Sequence, residues 1–264
     1  MKNNLPNLGN IMPSIRGLNL WTLAQKFKDY TTQKTSTIQL LQKIDIFSLN
    51  DDYKAKLLTL EANEQQAFLK AHGTLKRTTG YMKSHSFVLQ FQQVIIEYIM
   101  CRVYGAQGVS PVFTTTSVRN TANSLKQLGA VPSTYSYSVI PAMNAPAATT
   151  TYGILCGTGT TTPVTADYAM QTLVAHGTSA GQLSYQATAV GSAGVVGANV
   201  DTIIARVVVN SSGGAITLKE IGMATTVLDS SVTQCFFLIA HDAVNQTINN
   251  GEIAVISYDI RTTV

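Results

Sequence analysis

Apolar positions along this 264-residue chain change their spacing about halfway. In the second half they fall in short runs separated by turn-forming residues. Asp201-Thr-Ile-Ile-Ala-Arg-Val-Val-Val-Asn210 is rich in β-branched residues, and Ala215-Ile-Thr-Leu-Lys-Glu-Ile-Gly-Met223 alternates around Ile216, Leu218 and, after a shift of phase, Ile221. Between them Ser211-Ser-Gly-Gly214 supplies two glycines, which take the positive φ values a tight reversal needs, so the pair reads as a hairpin. Cys235-Phe-Phe-Leu-Ile-Ala240 and Glu252-Ile-Ala-Val-Ile-Ser-Tyr-Asp-Ile260 follow, set apart by Asp229-Ser-Ser231 and Asn249-Asn-Gly251. Upstream, Tyr152-Gly-Ile-Leu-Cys156 is a further short strand. Strands at this spacing predict an antiparallel β-sandwich or barrel, and the sandwich is the form expected over residues 151–264.

In the first half the spacing is helical. Trp21, Leu23, Ala24, Phe27 and Tyr30 make one apolar stripe, and Ile38, Leu40, Leu41 and Ile44 another. Asn50 or Asp51 is placed to cap a long helix running to about His72, with Leu57, Leu58, Leu60, Ala67 and Phe68 on its buried face and Gly73 as its stop. Ser84 to Tyr104 predicts a helix apolar on most of its circumference, carrying Phe87, Val88, Phe91, Val94, Ile95, Tyr98, Ile99 and Val103. Its Gln90, Gln92, Gln93 and Glu97 argue for burial in a core or between subunits, not in a membrane. A weaker amphipathic helix is expected from Ser117 to Leu128. Residues 1–17, with Pro6, Gly9, Pro13 and Gly17, read as an extended arm, and 131–150, with Pro132, Pro141, Pro146 and Thr149-Thr-Thr151, as a linker. The expected class is therefore α+β, a helical region over 18–130 followed by the sandwich.

Composition sharpens this. Charged residues are 12% of the chain, about half the usual globular share. That suits a protein whose surface is partly covered by neighbours, and equally an all-β secreted domain. Residues 1–130 hold fifteen Lys/Arg against seven Asp/Glu, and the remainder three against seven. Opposite charge on the two halves could orient one subunit on another. The densest basic cluster, Lys70, Lys76, Arg77 and Lys83, lacks the runs and zinc-finger spacing of nucleic-acid binders, so it reads as a solvated face. Cys101, Cys156 and Cys235 are odd in number and widely spaced, which gives neither a disulfide framework nor a CxxC site and points to a reducing compartment. No charged N-terminus followed by an apolar core marks a secretory signal. No apolar run reaches the roughly 18 residues of a membrane span.

The candidate chemistry is thin. Gly157-Thr-Gly159 after a strand has neither the third glycine of a dinucleotide-binding turn nor the Gly-Lys-Ser/Thr of a P-loop, and Thr160-Thr-Thr-Pro163 follows it, so it reads as a plain loop. Of His72, His85, His176 and His241, a divalent metal could recruit His176 and His241 with Asp242 if the fold gathered them, although nothing in the spacing requires it. No serine sits in a Gly-x-Ser-x-Gly elbow, and Glu220, Asp229 and Glu252 show no paired arrangement. Tyr135, Tyr137, Tyr152, Tyr168 and Tyr185 could stack on sugars or bases but more commonly cover a strand face. No catalytic, cofactor or metal residues are assigned, no cofactor is expected, and an enzyme is not the expected reading.

Asp167-Tyr-Ala-Met-Gln-Thr-Leu-Val-Ala-His-Gly177 with Gly181-Gln-Leu-Ser-Tyr185 resembles a segment of virion structural proteins of tailed bacteriophages. So do Val207 to Gly222, Phe237-Leu-Ile-Ala-His-Asp-Ala-Val244 and Asn250-Gly-Glu-Ile-Ala-Val-Ile-Ser-Tyr258, together covering roughly residues 150–264. His241-Asp242 stands where that pattern carries Arg-Asp. The resemblance implies a non-enzymatic virion component, assembled in the host cytoplasm into a symmetric homo-oligomer of the neck or tail. Its implied partners are copies of itself and neighbouring connector, tail or capsid proteins, with neither membrane nor nucleic acid among them. The alternatives are a capsid decoration or head-fibre protein, or a receptor- or glycan-binding adhesin.

Overall fold

The computed structural model of the protein describes residues 37–84, 87–94, 117–128, 142–229, 231 and 233–263. These run through β1 (Thr37–Ser48), α1 (Asp51–Leu57), α2 (Ala62–His72), β2 (Thr74–Thr78), β3 (Met82–Lys83), β4 (Ser117–Arg119) and β5 (Leu125–Gln127). Then follow β6 (Gly153–Gly157), β7 (Ser184–Val190), β8 (Gly194–Val196), β9 (Asn199–Val209), β10 (Ile216–Leu228), β11 (Gln234–Ile248) and β12 (Ile253–Thr263). The architecture is mostly antiparallel β-sheet. The larger sheet has the order β2-β1-β12-β9-β7, with β3 beside β1 and β8 beside β9; the smaller has the order β11-β10-β6, and β4 pairs with β5 apart from both.

Alternation along the strands accounts for the packing. Leu40, Ile44 and Ile46 of β1, Ile204 and Val208 of β9, and Ala254, Ile256 and Tyr258 of β12 turn one face of the larger sheet inward. There they meet Ile154 of β6, Leu218, Ile221 and Met223 of β10 and Ile239 of β11, in one buried cluster. Each fully buried aliphatic contributes roughly 1.5–3 kcal/mol. The opposite face of the larger sheet is covered at one end by Leu57, Phe68 and Leu69, which pack on Phe47, Ala205, Val207, Val209, Ile253 and Val255. Burial on both faces explains why the end of β9 reads as a continuous apolar run and not an alternating one. The change of phase in β10 is a bulge between Leu218 and Glu220, after which Ile221 and Met223 take over the inward positions.

Several expectations are corrected. The stretch on either side of Ser211-Ser-Gly-Gly214 is not a hairpin: β9 pairs with β12 and β7, whereas β10 pairs with β11 and β6, so the loop carries the chain from one sheet to the other. The stripe Ile38, Leu40, Leu41 and Ile44 belongs to β1, a strand in register with β12 from Thr37↔Thr263 to Phe47↔Ile253. The larger sheet thus draws three strands, β1, β2 and β3, from the stretch read as helical. Asn50 does cap a helix, accepting from the Tyr53 N–H at 2.9 Å, and Gly73 does end one. The single helix is broken, however, because Leu58 closes α1 and Glu64 accepts from the Glu61 N–H at 3.3 Å to start α2. Ser117 to Leu128 is the pair β4–β5 and not a helix. Asn120 turns the chain by accepting from the N–H groups of Ala122 and Ser124, and Asn123 takes a φ of +61°. Of the helix expected over Ser84–Tyr104, Phe87 instead bridges to Ala240 and a helix begins at 89–94; the rest lies outside the described residues. So do the arm at 1–17, the stripe around Trp21 and most of the linker, of which Ala142 bridges to Thr226 on β10. Among the described residues no helix is long and apolar enough to cross a membrane.

Candidate functional site

The bulge in β10 has a chemical consequence. It puts Glu220 on the outer face of the smaller sheet, directly opposite Gly157 of β6 and beside His241 of β11. The chain from 158 to 173 folds over this face, and Glu220 holds it there. Its Oε1 accepts N–H groups from Gly159 at 3.0 Å and Thr172 at 2.7 Å, and its Oε2 accepts from Gln171 at 2.9 Å. His241 completes the shell, with Nε2 at 2.8 Å from Glu220 Oε2 and Nδ1 at 2.8 Å from Asp167 Oδ2. Burial alone would raise the Glu220 pKa, but the His241 donor and the three backbone N–H groups hold it at about 2. Burial likewise opposes charge on His241, yet the hydrogen bonds to Glu220 and Asp167 outweigh it and raise its pKa. Both ring nitrogens thus lie 2.8 Å from a carboxylate oxygen, an arrangement that the imidazolium form, with two N–H donors, satisfies at once.

Gly157-Thr-Gly159 thus packs its backbone closely against the chain's own Glu220, to which the Gly159 N–H donates. A Cβ at Gly157 would lie 2.4 Å from Glu220 Oε1, and one at Gly159 2.5 Å from the same atom. Only glycine lets the backbone come this close.

Two further buried networks lie on the inner side. Arg206 projects between the sheets over the Tyr185 ring, 4.8 Å from its centroid. It donates to the carbonyls of Gln186 (2.7 Å), Ile154 (2.9 Å), Pro146 (3.1 Å) and Thr149 (2.7 Å). Burial lowers its pKa to about 10, so the guanidinium stays charged at neutral pH. Asp242, adjacent to His241, points the other way and accepts from Ser84 Oγ at 2.7 Å and Tyr258 Oη at 3.0 Å.

The metal trio considered from the sequence is not assembled. Strand alternation sends His241 and Asp242 to opposite faces, and His176 Nδ1 accepts from the Tyr185 N–H at 3.1 Å. Among the described residues no group of three or more His, Cys, Asp or Glu side chains could hold a metal ion. His72 packs against Tyr53 and Phe68; His85, Cys101, Tyr135 and Tyr137 lie outside the described residues. Cys156 and Cys235 are buried free thiols, and burial pushes the Cys156 thiol up to about 12. Asp229 accepts from the N–H groups of Ser231 and Thr233, and Glu252 pairs with Arg77, so both brace turns. Among the described residues the tyrosines do not converge: Tyr152 stacks on Phe236, Tyr168 lies under Arg119, and Tyr185 is buried with its hydroxyl donating to the Val174 carbonyl at 2.9 Å. Lys76, Arg77 and Lys83 lie on β2 and β3, along one edge of the larger sheet, and Lys70 lies on α2.

The sequence reading missed the Asp167–His241–Glu220 bridge. Two signals pointed to it, the phase shift beside a lone Glu in an apolar run and the paired glycines of Gly157-Thr-Gly159. No protein-family model matches the chain, and neither the curated proteins nor the solved structures contain a significant match.

Proposed function

We propose that this chain is a structural component of a bacteriophage virion, a protomer that assembles with copies of itself in the neck or tail and carries its contacts on a β-sandwich. The observation that supports this most is an apolar face running out from under its cover: the inward side of the larger sheet continues past the smaller sheet with Ile38, Val190 and Val195 exposed. An obligate interface resembles a domain core cut in half, and this is such a cut edge. The low charge of the chain supports the same reading, as does the phage-like run of strands and turns over roughly 150–264. The networks around Glu220, Arg206 and Asp242 fit it as well, since they tie loops and sheets into a rigid body. A glycan-binding role would draw on aromatics gathered at one loop end, and Tyr152, Tyr168 and Tyr185 are occupied separately.

The test is immunogold labelling of purified particles of the virus that encodes the chain, joined to light scattering of the isolated protein. Label at the neck or tail with an oligomeric mass is the expected result. Label over the shell would move the chain to a capsid decoration role, and unlabelled particles would end the virion reading.

A further inference from the structure

The register of the larger sheet places Ile38, Thr262, Val200 and Val195 side by side across β1, β12, β9 and β8. They share the face that carries Leu40, Ile204, Ile256 and Tyr258 into the core. Ile38 is 65% exposed and Val195 79%, and Val190, opposite Ile204, is 45% exposed. The core face therefore extends beyond the smaller sheet as a largely aliphatic strip, exposed among the described residues at Ile38, Val190 and Val195. At the same end the outer edge of the sheet is β8, with the sequence Gly-Val-Val and every residue exposed. The neighbouring strand β7 is protected, because Ala148 donates to the Tyr185 carbonyl and Thr188 to the Ala145 carbonyl. Exposed strands are usually guarded by charge, Lys above all. This one is not: between Asp167 and Asp201 the chain has no Asp, Glu, Lys or Arg.

We infer that this strip, Ile38, Val190, Val195 and Val200 with the β8 edge, is the contact through which two copies of the chain associate, each covering the face that the smaller sheet leaves open in the other. The inference rests on the virion-assembly reading and names the surface it uses.

Charge identifies the occupant. A strip with no charge meets its own copy without repulsion, so it is complementary to itself. Among the described residues, the neighbouring ions Asp201 and Arg261 alternate to the opposite face and pair there through two hydrogen bonds at 2.9 and 2.8 Å. The other edge of the larger sheet carries Lys76 and Lys83, and seating it on this strip would bring cations against a surface with no acid to receive them. A lipid surface is the competing occupant for an apolar tip. Interfacial anchors are Trp, Tyr, Lys and Arg, and residues 186–200 contain none of these.

The experiment is size-exclusion chromatography with light scattering on the full chain over a range of concentrations, for the wild type, Val195→Asp and Ile38→Asp. The wild type is expected at a multiple of the monomer mass. Each variant is expected at the monomer mass, with association at least tenfold weaker, because each copy adds a carboxylate to the apolar contact. The thermal midpoints should stay within a few degrees, since both side chains are already exposed. If Val195→Asp melts early, Val195→Ser carries the same test. Variants that assemble like the wild type overturn this contact and leave the assembly reading standing. A wild type monomeric at every concentration overturns both. Flotation of the wild type with phosphatidylcholine–phosphatidylglycerol vesicles, lost in Val195→Asp, would make the strip a lipid-binding tip and also overturn the inference.

Discussion

At the scale of single residues the protein spends its ions on itself. His241 lies between Glu220 and Asp167, and neither ring nitrogen has a lone pair to offer while the ring is charged. This fixes a pH window. The His241 pKa is raised above its ordinary 6.5, so its contribution is complete below pH 6.5 and is lost as pH rises through the folded value. Glu220 is lowered from 4.5 to about 2, so its contribution is complete above pH 4.5 and is lost as pH falls toward 2. A carboxyl held that far down is worth roughly 3 kcal/mol. His241→Gln is expected to cost about 3 kcal/mol near pH 6, as breaking a buried ion pair does. The stability gap between wild type and variant should then narrow steadily toward pH 9 in urea melts; a gap independent of pH would show that the ring is neutral in the fold. Arg206 makes a second prediction. Arg206→Met keeps the volume but strands four carbonyls, and should lower stability by about 3 kcal/mol or more, with Arg206→Lys recovering only part because an ammonium cannot reproduce the planar fork. Equal urea midpoints for wild type and Arg206→Met would mean that those carbonyls find water.

Elements were legible where their sequence pattern is unambiguous and illegible where it is shared. The runs around 201–210, 215–223, 235–240 and 252–260 are strands, as their β-branched content predicts. In β1, Leu40, Gln42, Ile44 and Ile46 alternate, yet Ile38, Leu41 and Ile44 also fit a helical stripe; a short apolar run satisfies both periods, and pairing with β12 decides between them. Turn chemistry shows that a chain reverses but not which sheet receives the next strand. Hence Ser211-Ser-Gly-Gly214 looked like a hairpin. It is a crossing, and fully buried Asn210 holds it by donating to the Gly214 carbonyl at 2.8 Å and the Ile248 carbonyl at 2.7 Å. The network around Glu220 was legible only as a place, from the phase shift and the paired glycines; its partners Gly159 and His241 are 61 and 21 positions from Glu220, and no local motif spans that. The close approach of β6 to β10 gives the prediction at this scale. Gly157→Ala must displace a carboxyl pinned by four donors, and should cost about 1–3 kcal/mol by urea melt. A neutral result would mean that the covering chain moves aside freely.

For the whole molecule, the proposed self-association could draw on either of two forces. The basic first half and acidic second half could attract each other between subunits, and such attraction steers encounter and weakens as salt shortens the Debye length from about 14 Å near 0.05 M to about 4 Å near 0.5 M. The strip at Ile38 and Val195 offers the other force, which has no charge to screen and which excluded salts such as sulfate strengthen. The acids of the second half also favour the strip. Glu220 is sealed against His241, Asp242 is buried beside Tyr258, Asp201 is paired with Arg261 and Glu252 with Arg77. Little of the formal negative charge therefore remains to meet a basic neighbour. The average mass by light scattering is accordingly expected to hold steady between about 0.05 and 0.5 M sodium chloride, and to rise when sodium sulfate replaces the chloride at equal ionic strength. A mass that falls severalfold over that range would mean that the two halves are held together by their opposite charges, and that the apolar strip is a bystander.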